Sequence, residues 1–153
     1  MLEIKIDDKE MRDVLNKLQD KFEDTTPIMM EISAKMNQSV EDNFEQEGRP
    51  SWDDLSDVTK KKRARRGHLG KILHETGSLQ ESITPFYDKD TAGVGTNKIY
   101  AKVMQFGAKK GAFGKDKHGR SLPWGNIPAR PFMQLNDNDS EEIIFTLLNY
   151  LKN

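Results

Sequence analysis

The stretch behind Thr26-Pro27 constrains this chain most. Ile28, Ile32, Met36, Val40 and Phe44 recur every fourth residue, a spacing that lines up on one face of an α-helix and on no face of a strand. Thr26 suits the N-cap and Pro27 the first helical position. Gly48 and Pro50 mark where the helix should stop. A helix this long has to bury its apolar stripe, so the remaining segments are read first as candidates to cover it.

Upstream, Leu2, Ile4 and Ile6 alternate with Glu3 and Lys5, the pattern of a short half-buried strand over 1–6. Asp7 or Asp8 can then cap a helix whose apolar side is Met11, Val14, Leu15, Leu18 and Phe22. Downstream, Ser56 is placed to cap a short helix running into the basic run 60–66, with Gly67 and Gly70 ending it. Ser78 and Glu81 have the spacing of a capping box. Residues 83–87 and 91–96 read as two short strands around Asp88-Lys89-Asp90, with Pro85 suited to an edge. Asn97 is a candidate cap for a helix that puts Tyr100, Val103 and Met104 on one face and ends at Gly107. Pro128 and Pro131 hold 127–132 extended. Asp139 or Ser140 should cap a last helix with Ile143, Ile144, Leu147, Leu148 and Leu151 as its apolar face. Strands and helices are segregated, so the expected class is α+β: a small antiparallel sheet packed against N-terminal and C-terminal helices, in one domain over 1–153.

Two segments stand apart. Residues 48–72 and 107–127 hold few apolar residues, and the second has five glycines and five basic residues. Both are expected to be long mobile loops, ordered on a partner. The charge follows the same division. Residues 1–47 carry 6 basic and 13 acidic side chains, 48–135 carry 17 and 8, and 136–153 carry 1 and 4. A net charge of −1 thus conceals an acidic–basic–acidic order, which favours contact between copies or with a charged partner.

Several chemistries find no support. Cysteine is absent, so disulfides and thiolate metal sites are excluded. His68, His74 and His118 lack ligand spacing and read as exposed. Gly77-Ser78 is no nucleophile elbow. Glu141-Glu142 suits the first turn of a helix, and Gly93-Val94-Gly95 lacks a longer phosphate motif. Purely apolar runs reach three residues, as in Ile143-Ile144-Phe145, too few to cross a bilayer, and no secretory signal opens the chain. No cofactor, no metal and no catalytic residue are therefore expected. The basic run with Lys61, Arg63, Arg65 and Arg66 could bind phosphate, but no aromatic side chain is interleaved for base stacking. Of the two tryptophans, Trp52 is expected to fold back on the domain. Trp124, between Pro123 and Gly125, is expected to contact a partner.

A further set of stretches occurs in a fixed order: Gly48, Trp52-x-x-Leu55 and Thr59; Ile72-Leu73, then Thr76-Gly77-Ser78-Leu79 with Ser82-Ile83; Val94-Gly95-Thr96; Tyr100-Ala101 followed by Met104-Gln105-Phe106-Gly107; and Ile127-Pro128-Ala129-Arg130-Pro131-Phe132. Together they resemble the virion-morphogenesis, or tail-completion, family of tailed bacteriophages. The resemblance covers roughly residues 44–133. Met104 stands where the family often has His, which speaks against catalysis there, and Met133 stands where it often has Leu. The resemblance implies a structural, non-enzymatic part acting in tail completion and head–tail joining, at the neck or the head-proximal tail end. Its partners would be other neck or tail proteins and further copies in a ring, assembled in the bacterial cytoplasm and retained in the virion, with no membrane contact. Trp52, Thr76, Gly77, Leu79, Ile83, Tyr100, Gln105, Phe106, Gly107, Trp124, Pro128, Arg130, Pro131 and Phe132 become the motif or interface positions, and Arg130 a candidate for an ion pair that fixes its loop. The other reading of the residues is a small nucleic-acid-binding protein using its basic patch.

Overall fold

The computed structural model describes residues 9–68 and 70–153. The strand expected over 1–6 and its Asp7 or Asp8 cap lie outside the described residues, as do the side chains of Met11, Val14, Leu15 and Leu18. The described elements are α1 (Lys9–Glu23), α2 (Thr26–Glu45), α3 (Asp57–Arg65), α4 (Ser78–Glu81), β1 (Thr84–Tyr87), β2 (Ala92–Gly95), α5 (Ala101–Phe106) and α6 (Asp137–Lys152). The fold is a small α+β arrangement.

Helix α2 is its axis. Ile28, Ile32, Val40 and Phe44 are buried and Met36 half-buried, as their spacing requires. The start lies one residue earlier than expected: Thr25 is the N-cap and Pro27 sits in the first turn. Asp24 supplies the side-chain acceptor for the Thr26 N–H at 3.0 Å. The β1–β2 hairpin pairs antiparallel from Thr84↔Gly95 to Tyr87↔Ala92 and packs on α2. Its turn closes because the Asp88 carboxylate accepts the Asp90 and Thr91 N–H groups at 2.8 and 2.7 Å, an Asx turn. Pro85 is tolerated because a two-stranded sheet consists only of edges. The Phe86 ring crosses Gly93 so closely that a Cβ there would lie 2.4 Å from it.

Around the C-terminal end of α2 the core gathers Val40, Phe44, Trp52, Ile72, Leu79, Ala101 and Phe132. Phe44 meets Trp52 edge-on at 5.9 Å and Phe132 at 5.5 Å. Beside it lies a polar seam. Arg49 makes a forked contact with Asp139, Nη2 to Oδ2 at 2.8 Å and Nη1 to Oδ1 at 3.2 Å. It also donates to Asn43 Oδ1 and the Ser39 carbonyl. Asn43, 1% exposed, donates to the carbonyls of Phe132 and Gln134 at 2.7 and 2.8 Å.

Three further helix starts differ from expectation. Helix α6 begins at Asp137 with Asn136 as N-cap, in a reciprocal capping box with Asp139. Asp139 is thus the third helical residue, a position forced by its pairing with Arg49. Gly77, in left-handed backbone (φ 79), caps α4, so Ser78 is its first residue and makes no capping box. Burial of Leu79 in the core sets that turn. Tyr100, not Asn97, precedes α5, because Thr96 Oγ1 turns the chain earlier by accepting the Lys98 N–H. The expected apolar face of α6 is also corrected. Thr146 is its buried residue, while Ile144, Leu148 and Leu151 are 55, 49 and 40% exposed.

Burial alone would raise the Asp139 carboxyl, but hydrogen bonds from Arg49, Ser39 and the Asn136 N–H outweigh it and hold its pKa below the ordinary 3.8. A carboxyl so lowered contributes stability that is present above 3.8 and lost as pH falls through its folded value. Replacing Asp139 by Asn should flatten this acid limb of the urea-unfolding profile. Arg49→Met, which strands the partner carboxylate, should cost about 3 kcal/mol at pH 7.

Candidate assembly interface

The ordered motif positions fall into three groups: core staples, the walls of one cleft, and exposed side chains around a projecting finger.

The staples pin connecting segments to α2. Trp52 folds back, 8% exposed, and its Nε1–H donates to the Pro131 carbonyl at 3.1 Å. Gly48 (φ 102) allows this, since a Cβ there would sit 2.6 Å from the indole. Gln105 works as a strand edge in miniature. Its Oε1 accepts the Phe132 and Met133 N–H groups at 3.1 and 3.0 Å, and its Nε2 donates to the Met133 carbonyl. Gly107 (φ 71) ends α5 against residues 127–129, where a Cβ would meet the Ile127 carbonyl at 2.5 Å. Phe132 is 1% exposed, and Ile83 is half-buried against the same core.

Arg130 was expected to form an ion pair. Its partners are instead two carbonyls, Asp53 O from Nε at 2.9 Å and Asp54 O from Nη2 at 3.0 Å. The chain at 53–54 presents its backbone here, and a forked guanidinium fits two consecutive carbonyls as well as a carboxylate. Burial pushes the Arg130 pKa down, opposed by the Asp53 charge and reinforced by Arg63 nearby. Arg63 is buried as well, and its Nη1 donates to Lys71 O at 3.0 Å. Above these two guanidiniums lies a cleft of about 540 Å³. Its walls include Leu55 and Thr59, Thr76, Gly77 and Leu79, Tyr100 and Met104, and Ile127 and Pro128. The Thr-Gly-x-Leu, Tyr-Ala and Pro-Ala-Arg-Pro stretches, far apart in sequence, meet there.

The basic run is dispersed. Lys60 pairs with Asp54, Arg66 with Glu75, and Arg63 is turned inward. Lys61, Lys62 and Arg65 are exposed, with no ion pair among the described residues. Gly67 (φ 74) closes α3, and the His68 N–H returns to the Arg63 carbonyl, the hydrogen-bond pattern of a glycine C-cap.

Residues 107–127 carry more structure than their composition suggests. Ala108 and Ile127 exchange both backbone hydrogen bonds, at 2.9 and 2.7 Å. The ladder continues through Gly111 to Pro123, Phe113 to Leu122 and Asp116 to Arg120. At the tip the Asp116 carboxylate accepts the Arg120 and His118 N–H groups and the Arg120 guanidinium, which hold its pKa below the usual range. The segment is a hydrogen-bonded finger. Phe106 at its base and Phe113 and Trp124 along it are 71, 58 and 66% exposed. Arg120 lies over the Trp124 ring at 5.5 Å.

Sequence reasoning missed the inward turn of Arg63, the Gln105 clamp and the Asn43–Arg49–Asp139 seam. Only the seam left a trace: Ser39 and Asn43, both buried, run beside the apolar stripe of α2. Gln105→Leu, which leaves two backbone N–H groups without an acceptor, should lower the unfolding free energy by roughly 2 kcal/mol, measured in urea.

The model of the phage virion morphogenesis family matches residues 6–152. The chain is 35% identical over 153 residues to "Mu-like prophage FluMu G protein 2" of Haemophilus influenzae, covering 99% of this chain and 97% of that protein. It is 35% identical over 117 residues to "Putative capsid assembly protein G" of Escherichia phage Mu, covering 73% and 70% respectively. A second Haemophilus influenzae protein, "Mu-like prophage FluMu G protein 1", is 29% identical over 125 residues, 78% of this chain and 75% of that protein. No solved structure matches. With nearly its whole length matched, the chain belongs to the phage virion morphogenesis family.

Proposed function

We propose that this virion-morphogenesis protein completes the phage tail so that it can join the head, acting without catalysis at the neck or the head-proximal tail end. The observation that carries the reading is the division of labour among the motif residues. One group clamps the scaffold, and another lines a cleft of apolar residues with charged side chains of both signs. A basic finger with exposed aromatic side chains projects beside them. That arrangement suits gripping and being gripped by protein neighbours. Interface centres favour aromatic and Arg side chains. On this reading the exposed parts of 48–72, around α3, and the finger over 107–127 are covered by virion components on assembly. Opposed charge along the chain then steers neck or tail proteins, and further copies in a ring, into register.

The alternative of nucleic-acid binding draws on the same basic run. Three members of that run are engaged within the protein, Lys60 and Arg66 in ion pairs and Arg63 on backbone carbonyls, which leaves a sparse patch. Binding by it would weaken with salt at a log–log slope of roughly −0.9 per phosphate neutralised. No mobility shift of DNA is expected at physiological salt.

A phage lacking this gene should accumulate filled heads and separate tails in electron micrographs. Normal infectious particles would overturn the proposal. Phe106→Ser with Trp124→Ser should leave stability within about 0.5 kcal/mol yet fail to restore plaques to the deletion phage.

A further inference from the structure

Helix α6 is inverted relative to an ordinary surface helix. Its inward stripe is Asp139, Ile143, Thr146 and Tyr150, where Asp139 meets Arg49 and the Tyr150 hydroxyl donates to the Lys21 and Asp24 carbonyls. On the opposite side, Ile144, Leu148 and Leu151 follow one another at helical spacing and are all exposed, with Phe145 beside them at 65%. A solvent-facing stripe is normally polar. An apolar one of this extent marks a surface that another protein covers. Glu141 and Glu142, both exposed, border it at the amino end.

The finger over 107–127 has the complementary make-up. It carries five basic residues and one acidic, whereas α6, with Asp139 turned inward on Arg49, exposes Asp137, Glu141 and Glu142 against the single basic Lys152. Lys109, Lys110, Lys115 and Lys117 are exposed around Phe113 and Trp124. The two surfaces therefore offer an apolar centre with opposite charge at its rim, the composition of a specific contact.

Within one chain neither surface covers the other: Phe113 and Trp124 are 58 and 66% exposed, and Ile144 and Leu148 55 and 49%. The finger springs from the Ala108–Ile127 pair, beside the segment whose Phe132 packs on Phe44 at the carboxyl end of α2. The outward stripe of α6 runs from Ile144, one turn beyond the Asp139–Arg49 pair at that same end of α2, to Leu151, beside Tyr150, which touches Lys21 and Asp24 just before α2 begins.

We propose that the finger of one copy docks on the outward face of α6 in a second copy. The contact is head-to-tail, so repetition closes a ring or extends a filament. This rests on the reading of the protein as a self-assembling virion part, and it names the two surfaces.

The test uses two full-length variants: a finger variant, Lys115→Glu with Lys117→Glu and Trp124→Ser, and an α6 variant, Glu141→Lys with Glu142→Lys and Leu148→Ser. Thermal unfolding checks that both fold. In sedimentation velocity across a concentration series, the unaltered protein should form species beyond a dimer. Each variant alone should associate roughly tenfold more weakly or not at all. An equimolar mixture should give a one-to-one heterodimer, because each variant keeps the surface that the other lacks. Unaltered protein that stays monomeric throughout would overturn the contact, as would variants that associate like it, a mixture that stays monomeric, or loss confined to the α6 variant, which would assign another occupant to that face. Tail completion itself stands or falls separately, on the gene-deletion phenotype.

Discussion

The forked contact between Arg49 and Asp139 is the constraint on which the remaining geometry depends. It joins the turn after α2 to the first turn of α6, 90 residues later. A buried ion pair contributes little net stability against an apolar replacement of the same shape. Its effect here is placement. The Asp139 carboxylate serves the guanidinium, the Ser39 hydroxyl and the N-cap of α6 at once. Asn43, held by the same guanidinium, fixes the carbonyls of Phe132 and Gln134. Two crossings of the chain are thereby tied to one end of α2, and the apolar cluster of Phe44, Trp52 and Phe132 closes over them.

From that tie-point the functional surfaces follow. Arg130 can hold the 53–54 backbone only because Phe132 is anchored two residues on, and Trp52 reaches Pro131 for the same reason. The cleft is the space left between these anchored segments and α4 and α5. The finger leaves where Gly107 lets the chain pass within contact distance of Ile127. A compact set of staples thus presents a cleft, a projecting finger and an outward apolar helix face. A protein with 35% hydrophobic and 32% charged residues has few apolar side chains to spare, and several of them are placed on the surface.

What could be read in the sequence were features with local causes. The α2 stripe, the hairpin turn at Asp88, the Ser56 cap and the Gly107 terminator are each dictated by side chains within a few residues. So was the inward fold of Trp52, a large aromatic side chain in a polar stretch. Features set by distant partners were not legible. Asn136 caps α6 because Asp139 must face Arg49, and Gly77 opens α4 because Leu79 is drawn into the core. Arg63 looks like one more cation in a basic run until the turn at 70–71 offers it carbonyls. The apolar residues of α6 were plain in the sequence, but periodicity does not say which side of the helix this chain buries, and Ile144, Leu148 and Leu151 lie on the exposed one.

The central claim is that this scaffold is complete in itself while its finger and cleft are completed by virion neighbours. Hydrogen–deuterium exchange measured on the free protein and on the protein within purified tails tests that most directly. The expected result is slowed exchange over 107–127 and around 126–130 in the tails, with the α2 amides equally protected in both states. Unchanged exchange along the finger, or its absence from the tails altogether, would contradict it.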